Sequence, residues 1–174
     1  MKYLDNRKII RYDGIGFRII SENDKVYFFN TTMNDSHYND NDYINSLYDS
    51  GIFIDNIHSN ILVIGLEIGC IPHWLSIVCP LSNIDVVESN KELITAVKSM
   101  EYLPKKIEII HDDIFSHTPI IKYDVIITDM WWEIDNDTIS DIQTLRENYN
   151  PYLKSNGKFH TPFIEPYIYE KITN

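Results

Sequence analysis

The residues of this chain best placed to do chemistry stand at the ends of short apolar runs. Gly65, Glu67 and Gly69 lie in NILVIGLEIGC at 60–70, and Glu88 closes IDVVE at 84–88. Asp112 and Asp113 follow IEIIH at 107–111, and Asp129 closes YDVIITD at 123–129, with Met130-Trp131-Trp132-Glu133 directly after it. Glycines allow a tight backbone bend and close approach of a ligand. A carboxylate at a strand end can accept from ribose hydroxyls or from an adenine amino group. One that emerges from a buried strand can orient an attacking amine and take its proton. Two indoles can cage a cation over their faces or stack on a base.

Elements must bring these positions together. The runs at 61–65, 84–88, 107–111 and 123–129 are rich in Ile and Val and read as buried strands. Between them, 71–79, 90–100 and 136–150 read as helices, with Pro72 near a first turn and Asn90, or else Ser89, as a cap. A last strand is expected at 158–164, opened by a turn at Asn156-Gly157. Strand–helix alternation predicts an α/β fold with a doubly wound, mostly parallel sheet. In such sheets the ligand crevice lies at the carboxyl ends of the strands. Before it, GFRIIS and KVYFFN within 14–33 predict a β-hairpin turning at Glu22-Asn23-Asp24, and 43–48 a short helix ended by Gly51. The expected organisation is therefore a hairpin and helical lead-in over 1–50 and one nucleoside-binding unit over 51–174.

Composition narrows the function. The 174 residues suit one domain with a real core, and the formal net charge is −11. No basic stripe is present to neutralise phosphates, so nucleic acid is not an expected partner. The negative field suits a small cationic ligand or acceptor. Apolar runs are too short to span a bilayer, and the start MKYLDNRKIIRYDG lacks a leader pattern. The expectation is a cytoplasmic protein with Cys70 and Cys79 reduced and buried.

Several chemistries lack their signatures. His73, His111, His117 and His160 show no metal-ligand spacing, so no metal is expected. No nucleophile elbow and no phosphate-binding Walker loop occur. A dinucleotide fingerprint needs glycine at 65, 67 and 70, and the chain has Glu67 and Cys70 at the last two. Glu67 would repel a pyrophosphate but would tolerate a sulfonium or an ammonium.

These residues resemble the class I S-adenosylmethionine-dependent methyltransferase superfamily, and within it the spermidine synthase branch. The resemblance covers about residues 43–164. Val63 stands two residues before Gly65, where many methyltransferases carry an acid and this branch does not. Glu88 in DVVES matches the ribose-binding acid, Asp113 in HDDIF the acid near the adenine with Asp112 beside it, and Asp129 the first catalytic carboxylate. The family motif continues Asp-Ser-Ser-Asp, and here Trp132 stands at the second acid with Glu133 next to it. The loop is also poorer in glycine, and the chain ends soon after the fifth strand of the family's sheet.

The resemblance implies a Rossmann-like methyltransferase fold shortened at the C-terminus. It implies S-adenosylmethionine or its decarboxylated form as co-substrate, held by Gly65, Glu67, Gly69, Glu88, Asp112 and Asp113. Asp129 and Glu133 would be catalytic, and Trp131 and Trp132 would face a small cationic acceptor. Pairing through the N-terminal part would give a homodimer. Methyl transfer is the leading expectation. Aminopropyl transfer in polyamine synthesis, and a non-catalytic binding or partner protein with a degenerate site, are the alternatives.

Overall fold

In the computed structural model, the described residues are 58–99, 101, 103–130 and 136–161, plus the backbone of four strands nearer the N-terminus. Those four are β1 (Arg11–Gly14), β2 (Phe17–Glu22), β3 (Lys25–Asn30) and β4 (Asp35–Ser36), paired antiparallel in chain order. β2 and β3 are the expected hairpin, joined across Glu22 and Lys25. β1 and β4 widen it to four strands. The helix expected at 43–48 lies outside the described residues.

The second sheet has five parallel strands: β5 (Asn60–Ile64), β6 (Asn83–Glu88), β7 (Glu108–His111), β8 (Tyr123–Thr128) and β9 (Leu153–His160). Their order is β7-β6-β5-β8-β9. The connections carry α1 (Cys70–Val78), α2 (Lys91–Ser99) and α3 (Asn136–Tyr149). Strands buried on both faces need near-continuous apolar sequence. Ile61, Leu62, Val63 and Ile64 accordingly show no exposure at all.

Each face of the sheet has its own core. Ile61 and Val63 of β5 pack with Val86, Val125, Ile127, and with Ile71, Trp74, Leu75, Leu93 and Val97 of α1 and α2. Leu62 and Ile64 pack on the other side with Val87, Ile126, and with Leu145 and Tyr149 of α3. Alternate β5 residues thus serve opposite layers, and the doubly wound expectation holds.

Two local expectations resolve differently. Asn90 is the α2 cap: its Oδ1 accepts the backbone N–H of Glu92 at 3.0 Å and of Leu93 at 3.1 Å. The last strand, however, begins at Leu153 rather than at 158. Tyr123 pairs with Leu153 and Val125 with Lys158, so residues 154–157 form a bulge inside β9. Asn156-Gly157 belongs to that bulge and does not open the strand. Gly157 suits the crowding there, because a Cβ would lie 3.0 Å from the Tyr123 carbonyl oxygen and 3.1 Å from the Lys154 nitrogen.

Candidate functional site

Backbone hydrogen bonds continue one residue past the paired strands, at their carboxyl ends. The Gly65 N–H donates to the Val87 carbonyl at 2.9 Å, that of Asp129 to Ile64 at 2.7 Å, and that of Asp112 to Glu88 at 3.2 Å. Four adjacent strands therefore release their loops at one level, and neighbouring parallel strands lie about 4.8 Å apart. Gly65, Glu88, Asp112 and Asp129 stand along one rim, as the spacing of the apolar runs predicts.

The loop after β5 is shaped by its glycines. Gly65 has φ 94°, where a side chain is strained. A Cβ there would collide with the Asp129 carbonyl oxygen and lie 2.9 Å from its carbon. The loop thus rests directly on the end of β8. Gly69, at φ 75° and ψ 20°, forms the N-cap of α1, and its N–H donates to the Leu66 carbonyl at 2.7 Å. Leu66 and Ile68 point into the core at 0% and 1% exposure. Glu67 between them is only partly buried.

Glu67 adopts φ 44°, a left-handed conformation that favours glycine. Its carboxyl is held well above the usual carboxylate range. Burial is the larger cause, and the negative charges of Asp129 and then Glu88 add to it. Acids from three neighbouring strand ends thus act on one another through their charges.

Glu88 is buried and fastens the loop. Its Oε2 accepts the Leu66 N–H at 2.9 Å, and its Oε1 accepts the Asn90 N–H at 2.6 Å. The Ser89 hydroxyl also lies 3.5 Å from Oε1, and with about four acceptor positions the carboxylate keeps capacity for a ligand hydroxyl. Asp129 is buried as well, at 4% exposure.

Asp112 and Asp113 stand exposed at the end of β7 and shape the turn that follows. Asp112 Oδ1 accepts the Asp113 N–H at 2.9 Å, and Oδ2 lies 2.8 Å from His117 Nδ1. That imidazole contact leads the causes that lower the Asp112 carboxyl below its ordinary value. Asp113 Oδ1 accepts the Phe115 N–H at 2.9 Å. From α3, the Tyr149 hydroxyl donates to the Ile114 carbonyl at 2.8 Å and Asn148 Nδ2 to that of Phe115 at 2.8 Å. His117 and Tyr149 are site-supporting residues that the sequence reading passed over. A histidine five residues after Asp112 was the available signal.

Trp131, Trp132 and Glu133 lie outside the described residues. Among the described residues, no group of three or more His, Cys, Asp or Glu is arranged to hold a metal ion, and no helix is long and apolar enough to cross a membrane.

No family model matches the chain, and no curated protein matches it significantly in sequence. Solved structures do resemble it. A coclaurine N-methyltransferase bound to N-methylheliamine and SAH superposes over 70% of this chain and 35% of its own, with 13% identity and a TM-score of 0.54. A glycopeptide N-methyltransferase covers 70% of this chain and 52% of its own, with 12% identity and a TM-score of 0.52. A probable spermidine synthase from Corynebacterium glutamicum covers 88% of this chain and 63% of its own, with 18% identity and a TM-score of 0.63. The chain thus spans between about a third and two thirds of the length of these structures. At such identities the likeness establishes architecture: five parallel strands flanked by helices on both faces, the Rossmann-like fold of class I S-adenosylmethionine-dependent methyltransferases.

Proposed function

We propose that the rim of β5, β6, β7 and β8 binds the adenosyl part of an S-adenosylmethionine-type donor and that the chain directs transfer of its methyl group to a small, cationic acceptor. The observation that carries this reading is the meeting of Gly65, Glu88 and Asp129: a side-chain-free loop backbone lies against the end of β8, between two buried carboxylates.

The residues fit the donor. Gly65 lets the loop turn at positive φ and seat directly on the end of β8, which fixes the loop at the rim. Glu88, already fixed by Leu66 and Asn90, has free acceptor positions for ribose hydroxyls. Asp113, with Asp112 beside it, stands one strand further along, where an adenine amino group can donate. When bound, the donor supplies an electrophilic carbon on a sulfonium, with a neutral thioether as leaving group. Asp129 orients the acceptor nitrogen and takes its proton as the nitrogen–carbon bond forms. Trp131, Trp132 and Glu133, next in the chain, are proposed to flank the acceptor.

A second reading keeps the donor site but changes the transferred group. Asp129 and Glu88, buried acids at the strand ends on either side of the loop, disfavour a ligand carboxylate there. The decarboxylated donor lacks that carboxylate, which favours aminopropyl transfer. The likeness to a probable spermidine synthase over 88% of the chain supports the same alternative.

Calorimetric titration with S-adenosylmethionine, its decarboxylated form and methylthioadenosine tests the donor site. Binding of at least one is expected. No heat with any of them leaves the non-catalytic reading. Asp129→Asn should then retain donor affinity within about threefold while losing about 10²–10⁴ in turnover; unchanged turnover would remove Asp129 from its role.

A further inference from the structure

The Asn156-Gly157 pair is the motif that the rim leaves unused. It is the sequence's one asparagine followed by glycine. In the fold it belongs to the bulge inside β9. Residues 154–157 lie between the Tyr123–Leu153 and Val125–Lys158 pairs and take no register partner on β8. β9 is also the last strand in the sheet order, so among the described residues no strand lies along its other side. Lys154, Ser155 and Asn156 are exposed. The bulge stands at the amino end of β8, the end of the sheet opposite to the rim.

We propose that Asn156 is a site of spontaneous modification, at which the folded protein loses ammonia through a succinimide and passes into aspartyl and isoaspartyl forms. The backbone nitrogen of Gly157 attacks the side-chain carbonyl carbon of Asn156. A C–N bond forms, the bond from that carbon to the amide nitrogen breaks, and ammonia leaves with the proton of the Gly157 amide. Water then opens the imide ring at one carbonyl or the other. One opening leaves aspartate. The other leaves isoaspartate, with the main chain rerouted through the side chain. Water is the sole co-reactant, and either product carries one more negative charge than the parent.

The bulge favours ring closure in three ways. Glycine has no Cβ to shield the attacking nitrogen, and its backbone reaches conformations closed to other residues. An exposed asparagine leaves no packed core when it turns toward the backbone, and water reaches the ring for the second step. A segment outside the strand ladder opens locally at little cost. The ends of the bulge stay fixed meanwhile. Leu153 and Lys158 are paired with β8, and Lys154 Nζ donates to Asp124 Oδ2 at 2.7 Å. Isoaspartate lengthens the main chain by one atom between those fixed points, so the bulge itself must take up the added length. Asp129 leaves the opposite end of β8, so the rim stays in place whether or not it holds a donor.

The test is incubation of the full chain in mildly alkaline buffer, folded in one arm and unfolded in guanidinium chloride in the other. Aliquots are digested in mild acid, where ring closure is slow, and the peptide holding Asn156 is followed by mass spectrometry. In the folded arm that peptide should gain one dalton at Asn156 and split into two chromatographic products, aspartyl and isoaspartyl. Its rate should lie within about tenfold of the unfolded arm, because the bulge opens readily. Isoelectric focusing of the intact folded chain should show a matching acidic band, and Asn156→Ser should remove it. A folded chain that modifies Asn156 more than about tenfold more slowly than the unfolded one overturns the inference, since the bulge then locks the residue. An aspartyl product with no isoaspartate excludes the succinimide and does the same. An acidic band that grows at the parent rate in Asn156→Ser places the change elsewhere and also overturns it.

Discussion

Replacing Gly65 with alanine isolates the packing on which the rim depends. At φ 94° an L-residue is strained by about 1–2 kcal/mol. The added Cβ would also overlap the Asp129 carbonyl oxygen and lie 2.9 Å from its carbon. Met130 Cγ, 2.7 Å away, belongs to a flexible side chain and can swing aside; the Asp129 backbone cannot move without disturbing its bond to Ile64. Relieving that overlap adds about 1–3 kcal/mol. The sum is roughly 2–5 kcal/mol, a fall in Tm of about 4–20 °C for a chain of this size. Thermal melts followed by circular dichroism, with urea titration as a second measure, read it directly. Gly157→Ala is the comparator, since its Cβ would meet atoms at 2.9–3.1 Å and the backbone there is not left-handed. Its loss should be the smaller of the two. A Gly65→Ala protein within about 1 kcal/mol of the parent would refute the argument that the loop is seated on β8.

Three further outcomes follow from the same geometry. Tyr149→Phe should lose about 1–2 kcal/mol in urea, because the Ile114 carbonyl loses its hydroxyl partner. Glu88→Gln should weaken both the Leu66 and the Asn90 contacts and cost about 2 kcal/mol, with methylthioadenosine affinity falling alongside it. The pH dependence of stability carries the signature of Glu67. Its folded value lies above its unfolded one, so the unfolded chain releases this proton first as pH rises. The contribution of Glu67 to stability is therefore fully present below about pH 4, where both states hold the proton, and is lost as pH rises through the raised folded value. Subtracting the urea midpoints of Glu67→Gln from those of the parent across pH 4–8 should reveal that decline. A flat difference would contradict it.

The rim was legible because strand ends carry a double signal. Ile61–Ile64, Val86–Val87 and Val125–Thr128 are continuous β-formers, and each run meets a glycine or an acid where the chain leaves the sheet. Asn90 was legible for a similar reason, since a capping side chain acts within three residues. The start of β9 was not. Leu153-Lys154-Ser155-Asn156-Gly157 has weak strand propensity, and its place in the sheet comes from pairing with Tyr123, a distant residue. The left-handed Glu67 was equally hidden, since a glutamate gives no hint of a positive φ. Asp112 and Asp113 were found as residues, but their use in holding the turn depends on His117 and on the Phe115 amide. Such bonds are set by tertiary geometry and leave only faint marks in composition.

The strand order has a consequence for synthesis of the chain on the ribosome. β5 is the middle strand, yet its partner β8 arrives much later, since Asn60 and Asp124 are 64 positions apart. At about 5–20 residues per second, one flank of a strand apolar from Ile61 to Ile64 waits roughly 3–13 s for its mate. During that interval the nascent half-sheet presents open amide and carbonyl groups beside Leu62 and Ile64, a template for intermolecular pairing. Ribosome-bound chains stalled after α2 should accordingly recruit chaperones more strongly than chains stalled after β9, and equal recruitment would deny the vulnerability.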